Sequence, residues 1–187
     1  METAKIKNLT LSAMFLALGF VAPFVTGQIP QIGNMLCPMH IPVLLCGLLC
    51  GWRYGAVVGF VLPLLRGSLL SFPPLFPNGI AMAFELAVYG GAAGYLYGRS
   101  RWKCLLALYR ALLLAMLSGR VVWGAVRTLL SGVGGEPFTW QLFLSGALLL
   151  AIPGILLQLT LIPAVMVALD RTGMVPFQKK LANLPKS

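Results

Sequence analysis

The chain has 187 residues, of which 59% are hydrophobic and only 10% charged, and its formal net charge is +10. A soluble domain carries about 25% charged residues, so this composition excludes a water-coated globule and points to an integral membrane protein. The basic excess would suggest nucleic acid in a soluble protein; here it reads as membrane topology, and no nucleic-acid partner is expected.

The first apolar run is Leu9–Thr26. Lys5 and Lys7 precede it as in a signal peptide, but no A-x-A-like cleavage site follows and further spans do. It is therefore read as the first membrane helix. The next stretch, "GNMLCPMHIPVLLCGLLCGWRYG" (Gly33–Gly55), holds the only histidine, His40, and three of the four cysteines, Cys37, Cys46 and Cys50. A structural zinc site needs four ligands at C-x(2–4)-C and H-x(3–5)-H spacing. That pattern is missing, so no metal is expected, and the cysteines read as small buried hydrophobes. His40–Gly51 is short for a span, since twelve helical residues rise only about 18 Å. The segment before it, "TGQIPQIGNMLCPMH", is too apolar for a free loop and too broken by Pro and Gly for a helix. It reads as a re-entrant outer loop over a cavity, because irregular backbone at membrane depth needs cover. His40 stands at its base, either as a ligand contact or as a hydrogen-bonded interface histidine.

Tyr54–Leu70, Gly79–Tyr97, Leu105–Leu130 and Phe143–Leu169 follow as apolar runs, each near or above the ~17–20 residues that cross a bilayer. They are continuous, whereas barrel strands would alternate in ~10-residue segments. "SFPPLFPNG" (Ser71–Gly79) is a stiff, uncharged outer loop, read as part of a lid or as interfacial anchoring by aromatics. If six helices cross with both termini inside, the inner segments hold Lys5, Lys7, Arg53, Arg99, Arg101, Lys103, Arg171, Lys179, Lys180 and Lys186, with Arg110 able to snorkel to the same side. The outer loops near 28–39, 71–78 and 131–140 contain no Lys or Arg. The expectation is a single domain over residues 1–187: an all-α, six-transmembrane-helix bundle, N- and C-termini cytoplasmic, with a short or irregular second span.

Helical rise places the intramembrane charges. Measured from the outer ends of their helices, Arg66 lies about 6 Å deep, Glu85 about 9 Å, Arg120 about 15 Å and Arg127 about 4 Å. Arg120, Trp123 and Arg127 share one stripe at i, i+3, i+7. Charged groups in lipid normally face the bundle interior. A structural ion pair between Glu85 and Arg120 would hold the fourth and fifth helices together. It leaves Arg66 and Arg127, so a cationic pocket for an anionic or strongly dipolar ligand is expected. Trp123, Tyr89, Asn78, Asn34 and Gln158 are available for stacking and neutral hydrogen bonds.

Small residues recur four apart: Ala13 and Ala17, then Gly47, Gly51, Gly55 and Gly59, then Gly90, Gly94 and Gly98. Such spacing lets helices approach closely in lipid. There is no G-x-x-x-x-G-K-[ST] phosphate loop, no G-x-S-x-G and no H-E-x-x-H, so neither an ATPase nor a hydrolase is expected in this chain.

Six short-looped helices, A-x-x-x-A in the first of them, and "PMHIPVLLCGLLCGWRYG…GFVLPLLRG…PPLFPNGIAMAFELAVYG" together resemble the substrate-binding S components of energy-coupling factor (ECF) transporters. The resemblance covers essentially the whole chain and includes "GRVVWG" (Gly119–Gly124) and "AIPGILLQLTLIP" (Ala151–Pro163). It implies capture of a vitamin or related micronutrient from outside a prokaryotic cell, in the cytoplasmic membrane, followed by docking on a T component and two ATPases that use the ATP. It also implies that the T component meets Ala13 and Ala17, and that the S component topples to deliver its cargo. No cofactor is expected in this chain itself. Charge complementarity favours a carboxylate-bearing vitamin such as pantothenate, then niacin, with cobalamin, a B6 vitamer and a thiamine precursor as further candidates. Two rival classes are a self-contained secondary transporter, which should show inverted repeats, and an intramembrane enzyme, which would need a nucleophile–base pair near Glu85 or His40.

Overall fold

The structure, a computed structural model, describes residues 2–25, 38–71, 74–100, 104–134 and 152–171. All regular structure in them is helical: α1 (Glu2–Val25), α2 (His40–Cys50), α3 (Trp52–Leu70), α4 (Ile80–Arg99), α5 (Leu105–Gly134) and α6 (Ile152–Arg171), with one wide turn at Leu75–Gly79 before α4, in which Phe76 is extended. Five of these helices are long and apolar enough to cross a membrane; the exception is α2, at 11 residues. The bounds differ from the apolar runs in an instructive way. α1 begins seven residues before Leu9, and α5 continues through Ser131 to Gly134. Hydropathy marks what lipid can cover, while hydrogen bonding along the backbone carries a helix past that edge. The first part of the expected sixth span, from Phe143, and most of the expected first outer loop lie outside the described residues.

Glycine sets how α2, α3 and α4 meet. Gly51 breaks the chain between α2 and α3 at φ 103° and ψ 165°, a conformation open to glycine and strained for other residues. The chain doubles back there, so Gly47 and Gly55 face each other. Both also meet Gly90 of α4: a Cβ on Gly47 or on Gly55 would run into the Gly90 carbonyl, and a Cβ on Gly90 into the Gly55 carbonyl. Gly59 abuts the Leu86 carbonyl and Gly94 the Gly47 carbonyl. Three backbones thus touch without intervening side chains, the close approach by which helices gain dispersion contacts in lipid. The glycine runs of the sequence form this contact, except Gly51 and Gly98, whose Cβ positions are open; Ala13 and Ala17 take no part in it.

α2 is buried on nearly all sides, from Pro42 to Leu48 without a break except in degree. Leu44, Leu45 and Leu48 join Tyr89, Leu108, Leu112 and Ile162 in one core; Val43, Cys46 and Cys50 join Val58, Leu62 and Leu86 in another. A polar seam ties α1 to α2. Ser12 donates to the Asn8 carbonyl at 2.6 Å, Cys46 Sγ lies 3.7 Å from Ser12 Oγ, and Asn8 Nδ2 reaches the Cys50 carbonyl at 3.5 Å. The α2 cysteines therefore face α1 and α3, while His40 faces α4. The opposite side of α1 carries Ala13 and Ala17, both exposed.

Candidate functional site

His40 is the first residue of α2 and Glu85 lies in the second turn of α4. Because α2 is so short, its polar first residue is delivered into the bundle at the depth of Glu85. Glu85 Oε1 is 3.2 Å from Arg120 Nη1 of α5 and 3.8 Å from His40 Nε2, and the Glu85 side chain is only 2% exposed. Tyr89, one turn further along α4, meets the His40 ring edge to face with centroids 5.0 Å apart and planes at 70°. α5 reaches this point because it has a glycine there: the Cβ position of Gly119 is 3.3 Å from both the Glu85 carbonyl and the Tyr89 ring. Its place just before Arg120, in "GRVVWG", is the signal that would have identified it.

Electrostatically, Glu85 and Arg120 neutralise each other, which a buried carboxylate requires. The 3.2 Å contact is an ion pair without hydrogen-bond alignment, and Glu85 Oε1 accepts no hydrogen bond from a described residue. The same holds for both ring nitrogens of His40. Buried polar groups are otherwise almost always hydrogen-bonded, so His40 and Glu85 hold hydrogen-bonding capacity that the described residues leave unused. Among the described residues no group of three His, Cys, Asp or Glu is placed to hold a metal.

The sequence-derived candidates fall into three groups. His40, Glu85, Tyr89 and Arg120 are brought together by direct contacts. Trp123 and Arg127, half-buried, continue the Arg120 stripe along α5; Asn78 sits in the wide turn before α4, and Gln158, 3% exposed, on α6. Asn34 lies outside the described residues. Arg66 is drawn elsewhere. Its Nη1 donates to the Phe20 carbonyl at 2.7 Å and its guanidinium lies 5.2 Å from the Phe24 ring centroid, two contacts with α1. The Phe20 contact is not legible in the sequence, because a backbone acceptor leaves no mark there.

A cavity of about 550 Å³ lies on the other side of α2, between α1 and α6, lined by Phe15, Leu18, Ile41, Leu45, Leu157 and Leu161 among other apolar residues. At 100° per residue, Ile41, Pro42 and Leu45 occupy the α2 face opposite His40 and Gly47. Volume alone would make this the ligand site. Its described lining is apolar and offers nothing that orients a polar molecule.

Membrane-length helices enclosing a buried histidine, a carboxylate and an arginine define a multi-pass membrane protein with an interior polar site, the arrangement in which ionisable groups serve transport or binding. The family described as ECF transporter, substrate-specific component matches residues 7–167. The chain belongs to that family, which is one of transporter components and not of enzymes. No curated protein and no solved structure matches the chain.

Proposed function

We propose that this chain captures a vitamin-like micronutrient at the junction of α2, α4 and α5 and hands it on after docking with a T component and two ATPases. The observation that carries the reading is the His40–Glu85–Arg120 cluster, where buried hydrogen-bonding capacity is left unused by the described residues. Unmet polar groups cost about 1–3 kcal/mol each, a cost that a ligand-binding protein recovers when the ligand arrives. With the lysines and arginines of the loops read on one side, the cluster lies in the outer half of a prokaryotic cytoplasmic membrane, and both termini are cytoplasmic. α2 is then the short second span.

The cargo is a carboxylate-bearing vitamin, pantothenate before niacin. Arg120 and Arg127 outnumber Glu85 by one positive charge, which suits a monoanion. Arg127 stands about 10 Å along α5 from Arg120, so an elongated acid can place its carboxylate at Arg127 and its other polar groups at His40 and Glu85. Trp123, Asn78, Asn34 and Gln158 complete the lining. ATP is used only by the partner subunits.

Docking uses α1. Its Ser12–Phe15–Gly19 side packs inside the bundle, while Ala13 and Ala17 remain exposed and small, a surface on which another helix can lie close. The test is mass spectrometry of small molecules retained by the purified protein, together with copurification of the T component and ATPases. A retained carboxylate and a four-subunit complex are expected; a solitary protein that transports unaided overturns the reading.

A further inference from the structure

The cluster contains a gap between two of its own members. His40 Nε2 and Glu85 Oε1 are 3.8 Å apart in side chains 3% and 2% exposed, beyond hydrogen-bond length. Neither atom has a hydrogen-bond partner among the described residues. Resting on the capture function proposed above, we infer that a hydroxyl group of the cargo bridges His40 Nε2 and Glu85 Oε1, so that the cargo is an alcohol as well as an acid.

The chemistry of the two ends selects the bridging group. Glu85, paired with Arg120, is a carboxylate and only accepts. Its negative charge favours the His40 tautomer that turns an N–H toward it, because the hydrogen bonds and charges around an imidazole decide which nitrogen is protonated. The bridge must therefore accept from His40 Nε2–H and donate to Glu85 Oε1 at once. Carbonyls and carboxylates only accept, ammonium groups only donate, and a hydroxyl does both. An oxygen ~2.8 Å from each end spans the gap at an angle of roughly 85°. Water has the same two capacities, and a cargo hydroxyl reproduces its bonds on displacing it.

The two ends are held ready. Tyr89 fixes the plane of the His40 ring, Gly119 backs the Tyr89 ring, and Arg120 holds Glu85. A site built to hydrogen-bond a hydroxyl rejects analogues that lack it far more strongly than an apolar pocket rejects a missing methylene. The inference thus separates the candidate acids: pantothenate carries hydroxyls and a carboxylate, whereas niacin carries a carboxylate and a pyridine nitrogen but no hydroxyl.

His40 is the only histidine in the chain, so ¹⁵N-histidine labelling reports on one ring. The full chain in detergent is titrated with pantothenate, with its analogue having both hydroxyls replaced by hydrogen, and with niacin, and binding is followed by calorimetry and by ring ¹⁵N shifts. Pantothenate is expected to bind and to move the Nε2 signal of the Nε2–H tautomer, the other two acids binding at least about a hundredfold more weakly. In His40→Phe, which keeps a ring against Tyr89, pantothenate should fall to the level of its hydroxyl-free analogue. If that analogue binds the parent protein as tightly as pantothenate does, or if pantothenate binds with the ring signals unmoved, the bridge is overturned while carboxylate capture stands. If none of the three acids binds, the carboxylate cargo and the bridge fall together.

Discussion

Arg66 of α3 donates to the Phe20 carbonyl of α1 at 2.7 Å and lies over the Phe24 ring, with its side chain almost wholly buried. It acts as a strut between the two helices. Arg66→Met keeps the length of the side chain and removes both interactions. An interhelical hydrogen bond in a membrane contributes about 0.6 kcal/mol and up to ~1.7, and a desolvated cation–π contact ~2. A loss of about 1–3 kcal/mol in detergent unfolding is expected. Ligand affinity in the folded fraction should change by less than about threefold; a hundredfold loss of affinity without loss of stability would place Arg66 in the pocket instead.

Glu85 and Arg120 should behave as a unit in unfolding experiments. Glu85→Gln leaves Arg120 without its carboxylate and Arg120→Gln leaves a buried unpaired anion, each costing about 3–5 kcal/mol. The double replacement removes both charges and should recover much of that loss. Additive single effects, measured by denaturation of all four proteins, would mean that the 3.2 Å contact is not an energetic pair.

The pairing of Glu85 with Arg120 was legible in the sequence; the direction of Arg66 was not. Helical rise put Glu85 and Arg120 in one half of the membrane, and the cost of isolated charge in lipid made their pairing an expectation. Rise says nothing about azimuth, however, and Arg66 at a similar depth turns to α1 because a backbone carbonyl accepts it there. The shortness of α2, and His40 as its beginning, followed from Pro38, Pro42 and Gly51. The three-way meeting of Gly47, Gly55 and Gly90 did not follow, since small-residue spacing marks a close-packing face without naming the helix opposite.

That meeting point gives a sharp contrast among chemically identical changes. Gly90→Ala would drive a methyl group into the Gly55 backbone, whereas the Cβ position at Gly98 is open. Overpacking against backbone costs about 1–3 kcal/mol. Gly90→Ala is therefore expected to lower the unfolding temperature clearly, and Gly98→Ala to leave it unchanged or raise it slightly. Equal effects would contradict the packing of α2, α3 and α4 described above.

Ala13→Trp or Ala17→Trp tests docking apart from capture. Both positions are exposed on the side of α1 away from the bundle, so the solitary protein should fold and bind its cargo as before. Close approach of a partner helix would be blocked, and uptake by cells carrying the T component and ATPases should be abolished. Unimpaired uptake would remove α1 from the docking surface.

The central claim is that cargo binds at the junction of α2, α4 and α5 and not in the apolar cavity between α1 and α6. Its most direct measurement is calorimetric affinity for pantothenate of the parent protein beside two variants, Tyr89→Leu at the junction and Leu157→Trp in the cavity, each first shown to be folded. Tyr89→Leu frees the His40 ring and is expected to weaken binding tenfold or more, while Leu157→Trp, which fills the cavity, should leave affinity within about threefold of the parent. Loss of binding in Leu157→Trp with full binding in Tyr89→Leu would contradict the account and move the cargo to the other side of α2.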